Sequence, residues 1–259
     1  MKQTVIMYHD VNDDPNARSK YTVLADQFEL HIAAIAETLK KKNIPNDKIV
    51  LTFDDGYESF VKTIAPILEK YNFKGIFFIS TNYIGKKDFM TEKQLIELRD
   101  RGHTIGTHSH THPAMMTSLP KKEIEDEWET SINELERILS QKIEYASIPG
   151  GYFCDISKNT LSRLGIKYIC TSKPTRKIKI TNDNIQIIGR FSIEHGNTAK
   201  QITSLFSPFS RFGLFQMMRS SIVRFIKAIF GASYYKARNI IMGKWFINNK
   251  FEASQHTEA

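Results

Sequence analysis

Apolar positions along this chain alternate between two spacings. Short runs rich in β-branched and aromatic residues predict strands over 4–8, 49–53, 75–80, 103–106, 145–148, 168–171 and 185–191. Between them the apolar residues fall three and four apart, which predicts helices. Over 25–42 the inward stripe is Phe28, Ile32, Ile35 and Leu39; over 58–71 it is Phe60, Ile64, Ile67 and Leu68. Thr91 and Gln94 form a capping box that opens a helix over 91–101. A long helix over 119–141 turns Ile124, Trp128, Ile132, Leu135 and Leu139 inward, and a last one covers 155–164.

Strands alternating with helices imply a parallel sheet covered by helices. Seven such units favour a barrel over an open doubly wound sheet, and no Gly-x-Gly-x-x-Gly follows the first strand. In a barrel of this kind, functional residues gather at the C-terminal strand ends.

Two polar segments stand at such ends. Thr52-Phe53-Asp54-Asp55-Gly56 puts adjacent carboxylates at the end of a buried strand, where they repel unless a cation or proton lies between them. His108-Ser109-His110-Thr111-His112 offers two imidazoles four positions apart that can face one way. Alone, the first is an ordinary turn and the second a solvated loop. Together, one carboxylate and two imidazoles make an open three-ligand metal site, with a second carboxylate free to act as base.

The order Tyr8-His9-Asp10, Leu51-Thr52-Phe53-Asp54-Asp55-Gly56-Tyr57, Gly106-Thr107-His108-Ser109-His110-Thr111-His112-Pro113 and Ile148-Pro149-Gly150-Gly151-Tyr152 resembles the polysaccharide deacetylase family, carbohydrate esterase family 4, over roughly residues 1–195. The resemblance implies an α/β fold, a distorted (β/α)7-type barrel. It implies a hydrolase that removes N-acetyl groups from an amino-sugar glycan or glycan precursor. Asp55, His108 and His112 would hold a divalent metal, zinc by ligand softness with cobalt and nickel also fitting. Asp54 would be the general base, His195 in Ile193-Glu194-His195 the general acid, and the Gly150 backbone N–H an oxyanion donor. His110 should point away from the ligands, and His9 either lines the pocket or packs at the rim. Tyr57, Tyr83, Tyr152 and Phe153 follow motif strands, as sugar platforms or as rim packing.

The chain also departs from the family pattern. The third motif usually carries an Arg two residues before its Pro, where this chain has Ser147, and the Asp and Trp of the fourth motif have no match between Thr171 and Asn184. Losing both partners together is coherent, because a buried charge left unpaired is costly. Asp54 must then be tuned otherwise, and Arg190 is one candidate. Two alternatives stay open: a superfamily hydrolase of a non-sugar C–N bond, and a glycan-binding protein that keeps the metal site without catalysis.

Composition adds little until charge is mapped. Of 259 residues, 41% are hydrophobic and 25% charged, as in ordinary soluble domains. Cys154 and Cys170 make no disulfide framework. The first ten residues enter a strand at once, which predicts no secretory leader, and no apolar run is long enough to span a bilayer, so the expectation is a cytoplasmic enzyme. The net charge of +8 is concentrated late: nine Lys and Arg and no Asp or Glu lie between His195 and Phe251. Residues 1–200 are expected to form the barrel and 201–259 a basic extension. Phe215, Met218, Ile222, Phe225, Ile226, Ile229 and Phe230, with Arg219, Arg224 and Lys227 among them, predict an amphipathic basic helix. It either closes the barrel or rests on an anionic membrane surface. No nucleic-acid motif accompanies the charge, and no nucleic-acid partner is expected.

Overall fold

In the computed structural model the described residues are 3–14, 19–223, 225, 226 and 229. The strands are β1 (Thr4–Tyr8), β2 (Ile49–Phe53), β3 (Gly75–Ile79), β4 (Thr104–Thr107), β5 (Tyr145–Ser147), β6 (Tyr168–Thr171), β7 (Lys179–Ile180), β8 (Gln186–Gly189) and β9 (Phe191–Ser192). The helices are α1 (Ala25–Lys41), α2 (Ala65–Lys70, entered through a π-helical turn at Phe60–Ile64), α3 (Glu92–Asp100), α4 (Lys121–Leu139), α5 (Asp155–Arg163) and α6 (Ala199–Ser204). Both halves of the Thr91–Gln94 capping box form at α3.

All nine strands join one sheet in the order β7-β8-β6-β5-β4-β3-β2-β1-β9, parallel throughout except for the β7–β8 hairpin. The strands read as nearly continuous apolar runs because both faces of the sheet are buried. One face packs under the helices: Ile6, Tyr8, Leu51, Phe53 and Phe77 join Phe28, Ile32, Trp128 and Leu135 in the main core. The other face, with Val5, Phe78, Cys170 and Ile188, lines the inside. The core runs past residue 200, since Ile202 and Leu205 are buried in it.

The run over 185–191, expected to be one strand, is two. β8 pairs with β6 and β9 with β1, so they lie near opposite ends of the sheet, yet Arg190 alone separates them. Alpha carbons two residues apart span at most about 7 Å. The sheet therefore curls until its two ends meet, a distorted barrel with an unpaired seam among the described residues. Gly189 permits the joint: a Cβ there would stand 2.3 Å from the Lys173 carbonyl oxygen and 2.4 Å from Thr175 Cγ2. Arg190 is thereby set at the seam, fully buried.

Candidate active site

Asp54 and Asp55 leave the end of β2, and the His108–His112 loop leaves the end of β4. Side chains alternate along a strand, so Thr52 and Asp54 face the inside while Leu51 and Phe53 face the helices. The Asp54 N–H donates to the Tyr8 carbonyl at 3.1 Å, which fixes its carboxylate beside the end of β1.

Asp55, His108 and His112 converge, with one ligand atom from each lying within 4.8 Å of the others. His108 Nε2 is 3.4 Å, and His112 Nε2 3.5 Å, from Asp55 Oδ1. His108 Nδ1 lies 2.9 Å from the Ser147 carbonyl oxygen, which can only accept. Nδ1 therefore carries a proton, and Nε2 is the ring nitrogen turned toward Asp55. Backbone strain gathers here too: Asp55, Ser109 and His112 hold φ of 89°, 65° and 55°. The donor set of one carboxylate and two imidazoles suits a divalent ion such as zinc.

Asp54 stands apart from this trio and is occupied differently. Arg190 grips it through both oxygens, Nη1 to Oδ1 at 2.6 Å and Nη2 to Oδ2 at 2.7 Å. Ser147 completes the clamp, its Oγ donating to Asp54 Oδ2 at 3.0 Å and accepting from Arg190 Nη2 at 2.7 Å. Burial alone would push the Asp54 carboxyl up, but the Arg190 charge and then His108 outweigh it. They hold the carboxyl well below the usual carboxylate range. The position where the family pattern carries its Arg thus holds a hydroxyl, and the guanidinium arrives from the seam instead.

The structure places the other sequence-predicted residues as follows. His110 turns away, sharing a 2.8 Å hydrogen bond with Thr81 Oγ1. Gly150, at φ 59°, sits in the Pro149–Gly151 turn, whose internal bonds are donated by Gly151 and Tyr152. Tyr57 stacks on Phe89 at 5.0 Å, and Tyr83 packs on the same ring at 4.7 Å. Burial and the Asp55 charge raise the phenol pKa of both tyrosines. Tyr152 and Phe153 pack against the main core. His195 is exposed, its ring Nδ1 3.2 Å from the Thr22 carbonyl oxygen. His9 lies nearer the acids, directly after Tyr8, whose carbonyl accepts from the Asp54 N–H, and its ring lies 4.6 Å from that of Tyr21 at a tilt of 31°.

Glu127 on α4 has a role not expected from the sequence. Its carboxylate accepts from the His110 and Thr111 N–H groups at 2.9 and 2.8 Å and pins the loop that carries His108 and His112. The available signal was a carboxylate between Ile124 and Ser131 on the inward stripe of an amphipathic helix.

The family model for polysaccharide deacetylase matches residues 41–169. Peptidoglycan-N-acetylmuramic acid deacetylase PdaA of Bacillus subtilis is 32% identical over 143 residues, 54% of this chain and 52% of that protein. Peptidoglycan-N-acetylglucosamine deacetylase PgdA of Listeria monocytogenes is 23% identical over 173 residues, 61% of this chain and 35% of that one. The chain spans about half, or less, of the length of these curated relatives. Among solved structures, the Streptococcus pyogenes deacetylase PplD in complex with acetate superposes with a TM-score of 0.67 at 21% identity, over 80% of this chain and 99% of that one. IcaB from Ammonifex degensii follows at 0.64 and 18%, over 79% and 96%. At these identities the structural likeness speaks for the fold.

Proposed function

We propose that this chain, which belongs to the polysaccharide deacetylase family, hydrolyses N-acetyl groups on an amino-sugar glycan, using a divalent metal held by Asp55, His108 and His112. The observation that carries this reading is the division of the two acids: Asp55 faces two imidazoles, and Asp54 faces an arginine. A binding protein needs only the first arrangement; a second carboxylate kept ionised beside it is what hydrolysis adds.

When bound, the metal supplies Lewis acidity that polarises the amide carbonyl and acidifies water. Asp54, ionised and clamped, accepts the proton of the attacking water. The Gly150 N–H donates to the oxygen that gains charge, and a backbone donor serves there without any side chain. The leaving amine needs a proton. His195 is the candidate by chain position, and His9 by its closeness to both acids. The wall of Tyr57, Phe89 and Tyr83 offers ring faces to a pyranose.

Acetate release across a panel of N-acetylated oligosaccharides and lipid- or nucleotide-linked precursors tests the reaction. A chelator should abolish it and added zinc restore it. Release from none of these sugars, or release indifferent to the chelator, would refute the reading. His112→Ala should abolish stoichiometric metal binding with the fold retained; equal metal content in variant and parent would remove His112 from the ligand set. Of His9→Ala and His195→Ala, the one that removes the acid should lose about 100-fold or more in kcat with metal retained. If both variants keep parental kcat, neither histidine supplies the proton.

A further inference from the structure

The helix that begins at residue 211 is seated on the barrel by one side only. Phe212 packs against the main core, a Cβ at the buried Gly213 would touch Leu205 and Phe191, and Gln216 Nε2 donates to the Ser192 carbonyl at 2.8 Å. The opposite side presents Leu214, Phe215, Met218, Ile222, Phe225 and Ile229, each between 48 and 67% exposed. Their spacing places them in one stripe along the helix. The sequence left two readings for this segment, and the described residues turn its apolar stripe away from the barrel. Phe230, Arg224 and Lys227 lie outside the described residues.

We infer that this stripe rests in the interface of an anionic lipid bilayer, with the surrounding basic residues against its headgroups. Charge selects that occupant. From His195 to Phe251 the chain has nine bases and no acid. At the foot of the stripe Arg219 and Lys20 share the single carboxylate of Glu194, so positive charge remains uncancelled. A second copy would bring the same excess charge against this one. Four of those nine bases lie beyond residue 230, and the only acids that follow them are Glu252 and Glu258. Anionic headgroups supply the missing counter-charge over a wide plane, and the apolar stripe has the form of a helix lying in that plane. No described helix is long and apolar enough to cross a membrane.

The test uses the full chain with vesicles of phosphatidylcholine alone or mixed with phosphatidylserine. The chain should sediment with the mixed vesicles, not with the neutral ones, and detach as salt rises. The triple variant Phe215→Ser, Ile222→Ser, Phe225→Ser should bind at least about tenfold more weakly, with Tm and oligomeric state unchanged because the three side chains lie in solvent. No binding to the mixed vesicles, or equal binding by the variant, overturns the inference. So does a lower Tm or a dissociated oligomer in the variant, which would assign the stripe to residues 230–259 or to a second copy. Acetate release from a soluble oligosaccharide reports on the hydrolase reading separately, and the triple variant should retain it.

Discussion

Asp54→Asn should keep its metal and turn over about 100- to 10,000-fold more slowly than the parent, the range that general-base removal commonly costs. The substitution keeps an acceptor oxygen for Arg190 and removes the group that takes up the water's proton. It also leaves a fully buried guanidinium without its counter-charge, so the variant should melt lower even where it folds. Metal content and Tm therefore have to be measured beside the rate. Asp55→Asn is the contrast: it should lose metal and turnover together. Equal metal loss in the two variants would contradict the division of labour between the acids, and parental turnover in Asp54→Asn would remove it as the base.

Arg190→Ala should be the most destabilising single change at the site. Removing one member of a buried ion pair costs about 3–5 kcal/mol, because the other is left charged in a poor solvent. For a chain of this size that lowers Tm by about 6–20 °C. The proton balance shifts as well. Burial pushes the Asp54 carboxyl up and Arg190 is the largest influence holding it down. Without Arg190 its pKa rises, and the acidic limb of kcat/KM should move to higher pH. In the parent the folded pKa lies below the ordinary value of about 3.9, so the pair's contribution to stability is complete above that value. It is lost as pH falls through the folded pKa. Arg190→Lys keeps the charge without the two-pronged grip and should fall between. The double variant Asp54→Asn with Arg190→Met should recover much of the Tm, since neither charge is then stranded. An unchanged Tm and an unchanged acidic limb in Arg190→Ala would reduce Arg190 to a bystander.

Much of this was legible in the sequence because it is local. The inward stripes of α1 and α4 are buried as their spacing requires, and the Thr91 capping box depends only on residues three apart. The two acids and two histidines announced themselves as polar breaks at the ends of apolar strands. The division of the run over 185–191 was not legible, because no Pro or polar turn interrupts Ile185-Gln186-Ile187-Ile188-Gly189-Arg190-Phe191. The break is enforced from outside, by Lys173 and Thr175 crowding Gly189 and by the two ends of the sheet claiming different partners. Arg190 could only be offered as a candidate once Ser147 was seen in the place of an arginine. Glu127 was hidden for a related reason, since its loop partners are backbone N–H groups, which leave no mark on a sequence.

The clamp on Asp54 spans 136 positions of chain. A ribosome delivers β1 to β5, with both acids, well before it delivers the residue that neutralises one of them. Until the seam forms, the closing barrel carries two neighbouring negative charges facing an unfinished interior. In the folded chain Arg190 answers one of those charges. One residue thus serves both ends of the chain: the side chain buried at the seam is also the counter-charge of an acid placed 136 positions earlier.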